Sequence, residues 1–285
     1  MKSNSFFSLN RFVLLLRNDI LLNYKKYLLT IAGAFILGFM VMYTNMPHLV
    51  VQNEYRWIFD AQDYLQTFTM CLVGLMVFVG SGFPGFSSKT NTFNYLQIPA
   101  STFEKYLCQF TIYVFAGSIL FFIIFWMDAH LARTIALNNL KYSNDELVGA
   151  EKFKYIKEFS YKSMFFIVRE NPVVVYRKWT EIINLFVMAF SVGMYFFNVK
   201  LIFKKLGVIK AALSLVALIF LIMIFFTVLS KLYFPETEFF EIAKALDYKR
   251  TNGISTIDLW MTILAYCVPF LIIPFGYFKL KEKQV

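Results

Sequence analysis

The chain has 285 residues, 59% of them hydrophobic and 20% aromatic, with 35 Phe and 17 Tyr against only 16% charged residues. This balance excludes a disordered chain and an ordinary soluble domain, and it predicts a polytopic membrane protein folded as one transmembrane domain over 1–285. The formal net charge of +10, from 28 Lys and Arg against 18 Asp and Glu, has no continuous soluble basic face to sit on, so nucleic acid is excluded as a partner.

In residues 6–24, Phe6, Phe7, Leu9, Phe12, Val13, Leu14, Leu15 and Leu16 are interrupted by Arg11, Arg17, Asn18 and Asp19. That pattern predicts a helix lying in the cytoplasmic interface, within an interfacial region 1–26, before the chain turns into the bilayer. The hydrophobic run that follows is of span length and leads to Met46-Pro47-His48, with no small-residue cleavage site of the kind a signal peptide carries.

Length and apolarity place six transmembrane helices at 27–43, 64–83, 107–127, 182–199, 208–229 and 259–278. In the first span, Gly33 and Gly38, with Ala32 and Ala34, allow close helix packing. The second span leads to Gly80-Ser81-Gly82-Phe83-Pro84-Gly85, which has the outline of a phosphate-binding loop. Phe86 stands where that loop needs Lys, and the run follows a span instead of a buried strand, so it reads as a flexible exit from the helix.

The connector 84–106 is the richest segment. Residues 88–97 predict a short helix across the cytoplasmic face that presents Phe93, Tyr95 and Leu96 to a docking surface. Pro99 presets a turn or a first helical position, and Ser101 with Glu104 three residues on forms a capping-box pattern, so a new helix begins near Thr102 and rises into the third span.

Beyond the third span, 128–181 is an enlarged outer loop with nine basic and seven acidic residues interleaved. A stretch over 151–169 looks amphipathic, and its Tyr155, Ile156, Phe159, Met164, Phe165, Phe166 and Ile167 suit an interface or a cover for the bundle. Asn171-Pro172 is a break before Val173 to Tyr176. About 54 residues are too few for an independent core, so the expectation is a small helical cap. Residues 231–258 form a second outer or re-entrant segment, with a turn at Phe234-Pro235-Glu236 and a break at Asn252-Gly253. Pro269 and Pro274 lie inside the last span and predict a kink.

Charge sets the orientation. With the N-terminus cytoplasmic, the segments 1–26, 84–106, 200–207 and 279–285, together with Lys210, hold 14 Lys or Arg against Asp19, Glu104 and Glu282, a net of +11. The other side nets −1, as the positive-inside rule requires, and both termini fall on the cytoplasmic side.

The residues predict no catalytic centre. His48 and His130 lack a third ligand at metal spacing, HExxH and GxSxG are missing, and the three Cys, at 71, 108 and 267, lie within spans and read as buried hydrophobes. The central portions of the spans hold almost no charge, which disfavours proton coupling through a buried carboxylate and leaves the energy for any transport to come from elsewhere.

The layout, the connector Tyr95-Leu96-Gln97-Ile98-Pro99-Ala100-Ser101-Thr102-Phe103-Glu104-Lys105 and the closing Tyr277-Phe278-Lys279-Leu280-Lys281-Glu282-Lys283 resemble permease subunits of the type-2 ABC transporter family, in its small bacterial form. The resemblance implies an inner-membrane exporter subunit that is not itself an enzyme. Such a subunit dimerises, or pairs with a related permease, and couples to a separate ATPase through Phe93, Tyr95, Leu96, Pro99, Ser101, Glu104 and Lys105. ATP and Mg would be bound by that ATPase and no cofactor by this chain, and the cargo would be lipid-like, peptide or drug-like. The family also has re-entrant outer helices where 239–258 lies here. The long loop 128–181 departs from the family's short link and implies a specialised cap. The alternative is a non-transporting membrane scaffold or assembly subunit that recruits an outer-side partner through that loop.

Overall fold

In the computed structural model, residues 9–45 form one uninterrupted helix, α1 (Leu9–Asn45), of 37 residues. The structure describes residues 6–47, 49–50, 58–86, 89–142, 155–170, 173–177, 179–203, 207–233 and 256–283. At 1.5 Å per residue α1 is about 55 Å long. The sequence separates an interfacial helix from the first span, and the structure joins them. The reason is local: no Gly or Pro stands between Leu9 and Gly33, and the polar turn is bound to itself. Asn23 donates to the Asp19 carbonyl at 3.0 Å, and Tyr27 Oη donates to Asp19 Oδ2 at 2.6 Å.

Among the described residues, the helices over the fourth, fifth and sixth expected spans run longer than their apolar windows, because the residues at their ends continue the helix. The helices after α1 among the described residues are α2 (Ala61–Gly80), α3 (Lys89–Gln97), α4 (Thr102–Phe110), α5 (Gly117–Asn139), α6 (Tyr161–Phe166), α7 (Trp179–Ile202), α8 (Gly207–Tyr233) and α9 (Thr256–Glu282). A π-helical turn, Thr111–Ala116, links α4 to α5 without a break. Among the described residues, five helices are long and apolar enough to cross a membrane: α1, α2, the α4–α5 rod, α7 and α8. The protein is thus a helical, membrane-embedded one.

Among the described residues, four short strands accompany the helices. β1 (Leu49–Val50) pairs in parallel with β2 (Lys141–Tyr142), and β3 (Ile167–Glu170) pairs antiparallel with β4 (Val173–Tyr176), with Ile167 opposite Tyr176 and Glu170 opposite Val173. In its described part the amphipathic stretch 151–169 holds a helical Tyr155, α6 and the start of β3. Residues 157–160 have no regular secondary structure, and β3 begins at Ile167, where a β-branched pair, Ile167-Val168, favours a strand. The predicted turn at 234–236 and the break at 252–253 lie outside the described residues, as do 171–172. The segment 231–258 is shortened from both ends, since α8 continues to Tyr233 and α9 starts at Thr256.

The chain divides into two compact units: Met1–Phe78 with Phe110–Ile183, and Val79–Gln109 with Asn184–Val285. In the first unit, α1 packs along α5, and an aromatic core centres on Phe68. Its ring meets Phe121 at 5.2 Å, Phe125 at 5.1 Å and Phe165 at 5.5 Å between centroids. Residues after α5 fold onto this core. Ile156 pairs with Phe59 in an isolated bridge, the Phe159 ring packs at an angle against Tyr64 and edge-on against Phe125, and Met164 is fully buried. Each such aromatic pair adds about 0.5–1.5 kcal/mol beyond its area. Backbone acceptors hold the cover: Tyr64 Oη donates to the Lys157 carbonyl at 3.1 Å, and Tyr161 Oη donates to the Phe122 carbonyl at 2.5 Å. Burial pushes the Tyr161 phenol above its ordinary pKa, so it stays a donor.

In the second unit the core gathers Phe83, Tyr106 and Phe197, with Phe83 and Phe197 rings 4.9 Å apart. The proposed flexible exit after α2 is instead a packed turn. Phe83 adopts a positive φ of 55°, which costs about 1–2 kcal/mol in a non-glycine residue, and its side chain is fully buried in compensation.

Candidate docking site: the connector between α2 and α4

Two helices and the turn between them make the connector, and each end at that turn is capped by a residue of the other element or by its own box. At the start of α4, the Ser101 N–H donates to Glu104 Oε2 at 2.8 Å and the Glu104 N–H donates to Ser101 Oγ at 3.1 Å. The capping box written in the sequence is formed in both directions, satisfying two backbone donors and fixing the start at Thr102. At the end of α3, Lys105 Nζ donates to the Leu96 carbonyl at 2.9 Å. This places a cation on the negative end of a short helix, where carbonyls lack partners. The Lys105 ammonium also lies 5.8 Å from the Tyr95 ring centroid.

These contacts change the roles expected of several residues. Glu104 is fully buried and Lys105 is 1% exposed, so neither presents a charge to a partner. Tyr95 and Leu96 are half-buried. The Tyr95 ring packs edge-on against Phe86 at 5.5 Å, its Oη donates to the Lys105 carbonyl at 3.4 Å, and a Cβ on Gly85 would come within 2.7 Å of it. The residues left outward are Phe93, 63% exposed, and Pro99 at the turn, with Ser101 half-buried beside it. A predicted row of seven contact residues is thus one outward aromatic and a proline on a scaffold built by the other five.

The scaffold rests on α7 and α9. Tyr106 Oη donates to Asn198 Oδ1 at 3.1 Å, and Asn198 Nδ2 donates to the Met194 carbonyl at 3.0 Å. Gly276 lies so close that an added Cβ would overlap the Asn198 amide. Around the turn before α3, the Phe83 N–H donates to Gln109 Oε1 at 3.2 Å, and Lys200 Nζ donates to the Ser81 carbonyl at 2.9 Å. The C-terminal end of α9 joins in, with Lys283 Nζ 4.5 Å from the Phe86 ring centroid. Asn198, Gln109 and Gly276 carry no sequence signal of this role. They are single polar or small residues in apolar runs, whose partners are distant in the chain.

Among the other predicted packing residues, Gly38 and Pro269 are in packed surroundings and Gly33 and Pro274 are not. A Cβ at Gly33 would meet nothing within 4 Å, and Ala32 and Ala34 beside it are exposed, because that face of α1 turns away from the unit. Both prolines lie inside α9, which continues through them as one helix. Pro269 is buried and Pro274 exposed.

Among the described residues no cluster of three His, Cys, Asp or Glu side chains could hold a metal ion. His130 lies against Trp126 at 4.7 Å and Phe159 at 5.9 Å, and His48 lies outside the described residues. Cys71 is half-buried, Cys108 buried and Cys267 exposed, all as free thiols. The chain has no match among family models, curated proteins or solved structures.

Proposed function

We propose that the chain is the membrane-spanning permease subunit of an ABC exporter, and that the connector α3–α4 docks onto a separate ATPase. The observation that supports this reading most is the doubly capped connector. Glu104 and Lys105 are turned inward to fix the backbone, while Phe93 stands outward from a nine-residue helix. An aromatic anchor on a rigid base is the arrangement that a pocket on a soluble partner recognises at low entropic cost.

In this reading α1, α2, the α4–α5 rod, α7, α8 and α9 are six spans, and both termini and the connector face the cytoplasm of an inner membrane, as the charge distribution favours. Two copies, or this chain and a related permease, enclose the path. The exposed apolar faces of α1 and α8, including Leu14, Leu21, Leu29, Leu213, Phe220 and Leu221, suit lipid and a second subunit. ATP binding and hydrolysis on the partner shift the membrane helices between two arrangements and move a lipid-like, peptide or drug-like substrate outward. The scaffold reading has less support, since Ile156, Phe159, Met164 and Phe165 of the long loop are buried in its own unit.

Purification of the full chain from native membranes, followed by ATPase assay of the complex, tests the proposal. The expected result is a co-purifying ATPase whose turnover falls several-fold with Phe93→Ala while the amount of inserted chain is unchanged. No associated ATPase, or equal turnover with Phe93→Ala, contradicts it.

A further inference from the structure

Asp128 lies in α5, between the core residues Phe125 and Ala129, and is 1% exposed. Its Oδ1 is buried and has no hydrogen-bond partner among the described residues. Its Oδ2 is pressed against α1 at Gly38, where an added Cβ would overlap it. The apolar window of the third span ends at Met127, so the sequence assigns this carboxyl to the loop; the structure carries α5 on to Asn139 and encloses it.

The titratable groups around it do not neutralise a charge. From α2 the neighbouring group is the half-buried thiol of Cys71, which carries no positive charge. On α5 itself His130 rests on Trp126 and Phe159, and Arg133 donates its Nε–H to the Ile156 carbonyl at 3.4 Å. In α1 the contact is Gly38, which has no side chain, and Tyr43 accepts from Asn139 at 3.3 Å. From the segment over the core, Tyr161 donates to Phe122, and Tyr64 of α2 donates to Lys157.

An ionised carboxylate enclosed without a partner costs several kcal/mol, and a proton removes that cost. We infer that Asp128 is a proton-binding site, occupied when α1 and α5 are packed at Gly38 and vacated when they part. The packed state then binds one proton more than a state in which the carboxyl is hydrated, so packing is favoured at low pH and weakens as pH rises. This holds whether or not the chain couples to an ATPase. It also revises the expectation that disfavoured a role for a buried carboxylate, and makes the α1–α5 contact responsive to pH.

The full chain in lipid nanodiscs supplies the test by infrared spectroscopy, with spin labels at the exposed positions Leu37 and Ile123 reporting the α1–α5 distance. At neutral pH the wild type shows a protonated-carboxyl stretch that is lost in Asp128→Asn. Raising the pH removes the band and lengthens the distance in the wild type, and leaves the distance unchanged in Asp128→Asn. Gly38→Ala, which displaces the carboxyl while keeping Asp128, loses the band at neutral pH as well and serves if the first variant does not insert. A wild type with no such band at neutral pH, a band that persists in both variants, or a wild-type distance indifferent to pH overturns the inference.

Discussion

The connector between α2 and α4 and the segment between α5 and α7 both join long helices, and both are rich in aromatic residues, yet they differ in what is buried beside those aromatics. In the segment after α5, Ile156, Phe159, Met164 and Phe165 are buried, and Tyr161 is tied to a helix carbonyl. In the connector and the start of α4, Phe86 and Tyr106 are buried too, but the charged or polar Glu104, Lys105 and Gln109 are buried with them, and Phe93 is outward. A segment that buries its aromatics is secured by packing. One that also buries charges on helix ends is secured by hydrogen bonds as well, and here it leaves Phe93 outward.

Four substitutions sharpen or break this contrast, read as unfolding free energy of the protein in detergent or nanodiscs. Phe68→Ala removes the ring at the centre of the first unit and is expected to destabilise by about 3–5 kcal/mol; a loss under about 1 kcal/mol would mean the aromatic cover is not what holds that unit. Gly276→Ala forces a methyl onto the Asn198 amide and should cost about 1–3 kcal/mol, with loss of protection of the Tyr106 and Asn198 backbone amides in hydrogen exchange. Ser101→Ala removes one half of the capping box for about 1 kcal/mol, and proteolytic cleavage near Ala100 should rise with it. Phe93→Ala should stay within about 0.5 kcal/mol of wild type. A large loss there would show Phe93 to be a packing residue and end the contrast.

The helices and the capping box are legible in the sequence because they depend on near neighbours. Apolar runs mark the spans, and Ser101 with Glu104 marks a helix start through a spacing of three. The ends of helices are less legible. Hydropathy reports where a chain suits lipid, and a helix continues past that limit until a residue stops it, as α5 does in carrying Asp128 inward. Burial of Glu104 and Lys105 was beyond local pattern as well. A charged residue in a connector reads as exposed until its partner is known, and the partner of Lys105 is a carbonyl nine residues back. Gly33 and Gly38 make the same point, since two glycines in one helix differ only in what faces them, and for Gly38 that is an aspartate ninety residues away.

Position 93 gives the most direct test of the central claim, that the connector presents an aromatic anchor to a soluble ATPase. A photoreactive benzoyl-phenylalanine in place of Phe93, irradiated in native membranes, should form a crosslink to a protein that binds ATP, and the same probe at exposed Phe220 on α8 should not. A crosslink from position 93 only to lipid or to a second copy of this chain would contradict the claim.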